Sequence, residues 1–296
     1  RGVTDTPVRG GANVEKQPIV EPEWLVDHLD DPSVVIAEVE IEKDRPDYTS
    51  GHIPGAQGWY WKDVAWDDLQ RQFPQPDVMA RRLGERGVGD DTTLVLYGQR
   101  NQFATYVYWI ATELCGLSNV HVLDGGKKGW QSLGQPLSHD EVVGTPVDRT
   151  VPDWPRSDRS RIHREVLLAA LEGNTPRLLD ARVEEEYDGR RVKAGTGLDH
   201  GATRHGHIPG ARNLVYERFM DPDTGRFRPR EQLAALFAEF EATPDQTDDV
   251  VAYCRLGHRA SMVWFVATQL LGYDHLRVYD GSWTEWGSLV GVPVEK

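Results

Sequence analysis

Residues 254–260 read Cys-Arg-Leu-Gly-His-Arg-Ala, between the apolar run Val-Val-Ala-Tyr at 250–253 and a helix-like run from Ser261 to Leu271. The pattern predicts strand, loop and helix. It sets a lone cysteine before a helix N-terminus, where unpaired N–H groups and the positive dipole end face a ligand. Arg255, His258 and Arg259 add cationic side chains. A free thiol ionises near about 8.5, and helix ends and neighbouring cations favour the thiolate. Nucleophilic chemistry at sulfur is therefore expected of Cys254. The other cysteine, Cys115, lies in an apolar helix-like run and reads as a small core residue.

The elements that position this loop occur twice. Gly-His-Ile-Pro-Gly-Ala stands at 51–56 and again at 206–211, and Asp124-Gly-Gly-Lys-Lys-Gly-Trp130 matches Asp280-Gly-Ser-Trp-Thr-Glu-Trp286. The first block is offset by 155 and the second by 156, and Tyr97 matches Tyr253 and Gly116 matches Gly272 at 156 as well. One unit is used twice. In the second copy, strands are expected at 177–181, 249–253 and 276–279, and helices at 229–240, 261–271 and 282–289. Alternating strands and helices predict an α/β fold, each half a mainly parallel sheet with helices on both faces. Ligands in such sheets bind beyond the carboxyl ends of the strands, where the loop after Tyr253 falls.

The expected division is a tail at 1–18, a non-catalytic domain at 19–135, a Pro-, Asp- and Ser-rich linker at 136–160 and a catalytic domain at 161–296. Aligned at 156, Cys254 stands opposite Gly98, so the first half has no nucleophile and is expected to form one wall of a cleft. Cys115 stands opposite Leu271, which agrees with a core role. Between Tyr187 and Gly206 the second half carries 18 intervening residues, against two between Tyr48 and Gly51. That insertion holds Arg190, Arg191, Lys193 and Arg204, and reads either as a solvated loop or as a lid over the cysteine.

Charge narrows the partners. The chain carries 33 basic and 47 acidic residues, a net charge of −14, with only seven lysines. Nucleic acid and anionic membranes are poor partners for such a chain, so a basic loop within it reads as a local anion site. No apolar run approaches the length of a membrane span. The first 30 residues hold no signal-like core, and the expected location is the cytoplasm, with export left open. Two cysteines without metal-ligand spacing predict no metal site, and the repeated glycines form no dinucleotide fingerprint, so no cofactor is expected.

Two reaction types use a cysteine heading such a loop. Cysteine phosphatases place an arginine after five intervening residues, but that position is Ala260 here, so the loop is one residue short. With its duplicated Gly-His-Ile-Pro-Gly-Ala, its six-residue loop from Cys254 in the second half and its Tyr279-Asp-Gly-Ser-Trp-Thr-Glu-Trp286 segment, the chain resembles the tandem-domain sulfurtransferases of the rhodanese superfamily, nearest the bacterial thiosulfate type. The resemblance implies a Cys254 persulfide that takes a sulfane sulfur from a donor and passes it to a thiophilic acceptor such as cyanide or a thiol, a protein thiol included. Two easier transfers then replace one hard one. The substrate-binding loop would be Arg255, Leu256, Gly257, His258, Arg259 and Ala260.

Within the family, mercaptopyruvate-type members carry small neutral residues and a serine after the cysteine, whereas Arg255 and Leu256 stand here. Thiosulfate is the donor this implies; the cation that animal thiosulfate enzymes place third in the loop is absent, and the resemblance to bacterial Cys-Arg-x-Gly-x-Arg loops implies that Arg259 and His258 compensate. Asp180-Ala-Arg182 matches the family's Asp-x-Arg element, implying that Arg182 points to the substrate and Asp180 holds the loop. Glu186 occupies the place of a second arginine. Use of 3-mercaptopyruvate, and service as a persulfide carrier for a protein partner, remain the alternatives. The duplicated His52 and His207 are expected to brace turns, and Trp283 and Trp286 to pack the last helix.

Overall fold

The computed structural model describes residues 17–155 and 158–296. Nearly all of the tail expected at 1–18 lies outside the described residues.

Among the described residues, nine strands form two parallel sheets. β1 (Ile19–Val20), β2 (Val34–Glu40), β3 (Gln57–Tyr60), β4 (Thr93–Tyr97) and β5 (Val120–Leu123) order as β1-β5-β4-β2-β3. β6 (Arg177–Asp180), β7 (Arg212–Asn213), β8 (Val250–Tyr253) and β9 (Leu276–Val278) order as β7-β6-β8-β9. All pairings are parallel. The central strands β4 and β8 are apolar on both sides because both faces are covered. Along β4, Leu94 and Leu96 enter the cluster between the halves, whereas Val95 and Tyr97 enter an outer cluster. In β8, Val250 and Ala252 point inward with Cys254, and Val251 and Tyr253 point outward. The alternation carries the cysteine to the face shared by the halves.

The helix after each loop forms that shared face. Gln102–Trp109 packs against His258–Trp264, and both continue as π-helical turns, at Ile110–Leu114 and Phe265–Leu270. The helix expected at 261–271 thus begins three residues earlier and ends in a wider turn. Thr105 and Ser261, which correspond in the repeat, hydrogen-bond each other through their hydroxyls at 3.1 Å. Tyr108 meets Phe265 with ring centroids 5.0 Å apart, and Trp109 meets Trp264 at 6.3 Å. Each pair joins a residue to the neighbour of its own counterpart, as an axis of approximate two-fold symmetry between the halves requires.

Two hairpin arms cross that axis. The turns at 67–72 and 221–226 have the same hydrogen bonds, Asp67 N–H to Gln72 O and Asp221 N–H to Arg226 O, both 2.8 Å. Each is gripped by the aspartate ending the other half's last strand. Asp280 binds Arg71 through its carboxylate and takes a second bond on its carbonyl at 2.9 Å, while Asp124 accepts the Phe227 N–H at 2.8 Å. The segment after residue 135 runs along the first half, where Ser138 pairs with His52 and Arg149 binds the Gly89 and Ser118 carbonyls.

Candidate active site

The loop from Cys254 is built by a turn that needs glycine. Gly257 has φ +97°, and a Cβ there would stand 3.1 Å from the Tyr106 ring and 3.2 Å from the Asp280 Cβ. This conformation turns the Gly257 N–H onto the Cys254 sulfur at 3.1 Å. The Cys254 N–H donates to the Ser282 hydroxyl at 3.0 Å, which in turn donates to the Tyr279 carbonyl at 2.8 Å. Trp283 and Thr284 donate their N–H groups to the carbonyls of Cys254 and Arg255. The last helix therefore holds the loop from behind, and the sulfur faces the other way.

It faces a cavity of about 350 Å³ lined by both halves. Cys254, Arg255, Leu256, His258 and Arg259 come from the loop, and Tyr60, Trp61, Lys62 and Phe103 from the first half. Lys193 and Ala194 of the insertion close a third side. The other insertion cations are engaged elsewhere: Arg190 with Asp188, Arg191 with the Gly197 carbonyl, and Arg204 with the carbonyls of Trp286 and Val292. Asp199 shapes the insertion by accepting the N–H groups of Val192 and Lys193 and bonding His205. Gly257 and Ala260 shape the loop without lining the cavity, and Cys115 is buried in the core between the halves.

Three expectations about site residues change. Arg182 does not reach the cavity. Its guanidinium is fully buried against Asp180 at 2.6 Å, bonds the Gly206 carbonyl at 2.7 Å and lies 4.7 Å from the Trp283 ring centroid. It ties β6 to the repeated turn and the last helix, since a buried cation needs an anion and acceptors. Asp180 is fully engaged in that pair, and Asn213 ties down its carbonyl. Second, Arg259 is not a free cation: it makes a two-pronged pair with the buried Glu186, at 2.6 and 2.9 Å. Burial opposes its charge, but the Glu186 carboxylate more than offsets this and holds the guanidinium above its ordinary pKa.

Third, His258 is neutral. Burial first, and then Arg71, Arg259, Arg255 and Lys62, push it well below 6.5. Its ring stands 4.3 to 4.4 Å from the rings of Trp61, Phe103 and Tyr106, an apolar enclosure that disfavours the imidazolium. The loop charge is left to Arg255. Burial and Arg259 lower its pKa, yet a guanidinium stays protonated at neutral pH. The Arg255 guanidinium makes no hydrogen bond or ion pair among the described residues and lies against Gly201 of the insertion.

The sequence reading expected a first-half wall but not its residues, Tyr60, Trp61, Lys62 and Phe103, and it missed Ser282. Ser282 was visible as the difference between Asp-Gly-Gly at 124–126 and Asp-Gly-Ser at 280–282. His52 and His207 do brace turns: each stacks on its tyrosine, Tyr48 or Tyr187, and bonds that residue's carbonyl at 2.9 Å. Trp283 and Trp286 are fully buried, with ring N–H groups on the Arg204 and Pro293 carbonyls. Among the described residues no group of three His, Cys, Asp or Glu side chains could hold a metal, and no helix is long and apolar enough to cross a membrane.

The Rhodanese-like domain model matches residues 21–133 and again 163–289. The chain is 38% identical over 283 residues to "Sulfur carrier protein TtuD" of Thermus thermophilus, covering 94% of this chain and 96% of that one. It is also 38% identical to "Putative thiosulfate sulfurtransferase 1" of Mycobacterium bovis, over 94% of this chain and 97% of the relative. Among solved structures, the anaerobic ergothioneine biosynthesis enzyme from Chlorobium limicola superposes with a TM-score of 0.76 at 24% identity, covering 94% of this chain and 70% of the other. That likeness is one of fold.

Proposed function

Because this chain belongs to the rhodanese-like family, we propose that it is a thiosulfate sulfurtransferase working through Cys254. Sulfur transfer as such accords with the family and with the names of its relatives. The donor and the residue roles rest on the site. The Cys254 thiolate attacks the outer sulfur of thiosulfate, the S–S bond breaks, and the electron pair leaves on sulfite. A nucleophile, cyanide or a thiolate, then attacks the outer sulfur of the persulfide, and the electron pair returns to Cys254. The Gly257 N–H steadies charge on sulfur in both steps, as donors in an oxyanion hole do.

The observation that carries this reading is the sulfur at the end of a cavity whose unpaired loop cation, Arg255, is the residue next to it. A dianion with a sulfite leaving group suits that arrangement. The relay expected for mercaptopyruvate has no counterpart here, because Leu256 brings no hydroxyl and Glu186 occupies Arg259.

Intact mass after incubation with thiosulfate, together with initial rates for thiosulfate and 3-mercaptopyruvate, tests the proposal. One added sulfur atom, absent in Cys254→Ser, and a clear preference for thiosulfate support it. Faster turnover of mercaptopyruvate overturns the donor assignment. A stable persulfide with negligible turnover onto small acceptors favours a carrier that delivers sulfur to a protein.

A further inference from the structure

Thiosulfate alone does not account for the walls of this cavity. A water's share of liquid volume is about 30 Å³, so the cavity of about 350 Å³ holds roughly ten waters, whereas thiosulfate has five heavy atoms. Two of the chain's seven lysines, Lys62 and Lys193, line it from different elements. Neither has a carboxylate partner among the described residues: Lys62 lies over the Trp61 and Trp66 rings, and the Lys193 amine stands 3.4 Å from the His200 ring nitrogen. In a chain of net charge −14 this is a local reversal of sign. Tyr60, Trp61 and Phe103 supply apolar surface from which an inorganic anion gains nothing.

We infer that the acceptor read by this site is an organic thiol carrying two or more carboxylates, and that Lys62 and Lys193 are its specificity-determining residues. The inference rests on the persulfide reading above and concerns its second half-reaction. The carbon stem lies on the first-half aromatics, the carboxylates meet Lys62 and Lys193, and the thiolate is led to the outer sulfur of Cys254. There it forms a new S–S bond. The old bond breaks, the electron pair stays on Cys254, and the acceptor leaves as a persulfide. The insertion, absent from the first half, is what brings Lys193 to the cavity.

The half-reaction is measured by itself. The full chain is loaded with sulfur, freed of donor and mixed with mercaptosuccinate, 2-mercaptoethanol or cyanide, and single-turnover rates are followed against acceptor concentration. Mercaptosuccinate should half-saturate at about tenfold lower concentration than 2-mercaptoethanol, the advantage of one or more charge-assisted contacts. Added salt should erode that advantage. Lys193→Ala and Lys62→Ala should each shrink the ratio between the two thiols about tenfold, chiefly through the half-saturation concentration, and Lys193→Arg should restore part of it. Equal saturation by both thiols, or equal losses for all three acceptors, overturns the inference. Both lysines are outside the core, and the salt series provides a test that needs no variant. If thiosulfate fails to load Cys254, the donor proposal fails, while loading with inorganic polysulfide leaves this test intact.

Discussion

The loops at Gly98 and Cys254 are built on the same plan, but only the second carries a thiol. In both, the N–H of the first loop residue and the carbonyl ending the last strand are bridged by one side chain. In the first half that bridge is Asn101, which accepts from the Gly98 N–H at 3.0 Å and donates to the Leu123 carbonyl at 2.7 Å. In the second half it is Ser282, acting on Cys254 and Tyr279. The bridge comes from within the loop in one case and from the helix behind it in the other. Where Asn101 fills the loop, its partner helix has Gly126, and a Cβ there would stand 2.6 Å from the Asn101 oxygen. Where Ser282 bridges, the loop has Gly257. The bridging side chain thus moves from the loop to the helix behind it, and the loop keeps Gly257, whose N–H meets the sulfur.

The comparison can be broken at its centre. Cys254→Ser should reduce sulfur transfer to background, measured as thiocyanate from thiosulfate and cyanide, while Cys115→Ser keeps most of the turnover. An inactive Cys115→Ser with an active Cys254→Ser would put the chemistry in the wrong half. Gly257→Asn, which gives the second loop the residue of the first, should lower turnover by about a hundredfold, the usual consequence of displacing reacting groups by about 1 Å. Its strained backbone should cost about 1–3 kcal/mol in stability.

Ser282→Ala should cost about 1–3 kcal/mol, since the buried Cys254 N–H loses its acceptor, with a smaller loss of activity than Gly257→Asn. Asn101→Gly removes the equivalent bridge and should lower the denaturation midpoint with no matching loss of sulfur transfer. A kinetic defect as large as that of Ser282→Ala would show that the first loop does more than hold a wall.

The smallest effect concerns pH, at Glu40, two residues past the Glu38 that pairs with Tyr97 as Asp180 pairs with Tyr253, and so the counterpart of Arg182. Glu40 is buried and accepts the Tyr48 N–H, and burial, followed by Glu38 and Asp47, pushes its carboxyl up to about 7. The folded protein therefore holds this proton more tightly than the unfolded chain. The resulting stabilisation is full below the ordinary carboxylate range and is lost as pH rises through about 7. Glu40→Gln should flatten that decline, so that the thermal midpoint of the variant gains on wild type between about pH 5 and about pH 8. A constant gap across that range would refute it.

The repeat made the fold legible, because six identical residues in register left one unit used twice as the only economical reading. Cys254 was legible for the same reason, as the cysteine heading a loop whose counterpart begins at Gly98, whereas Cys115 stands opposite an apolar helix residue. What escaped was the pairing of residues distant in sequence. Glu186 reads as a missing arginine until it is seen 73 positions from Arg259, closing an ion pair. His258 reads as a cation until three rings from the first half surround it. Arg182 turns inward because, beside Asp180, the Gly206 carbonyl 24 positions on and the Trp283 ring complete its bed in the core. Lys62 and Trp61 had no local mark at all, since their role depends on where the second half lies.

The crossed hairpin arms have a consequence for timing. Asp280 latches the arm of the first half and Asp124 that of the second, while the helices between them share one apolar core. Where two latches open independently, the chance of finding both open at once is the product of two small populations, so at nearly every moment at least one arm is in place. The first-half wall that faces Cys254 is therefore held by a tether whose lapses are rarer than those of either latch alone.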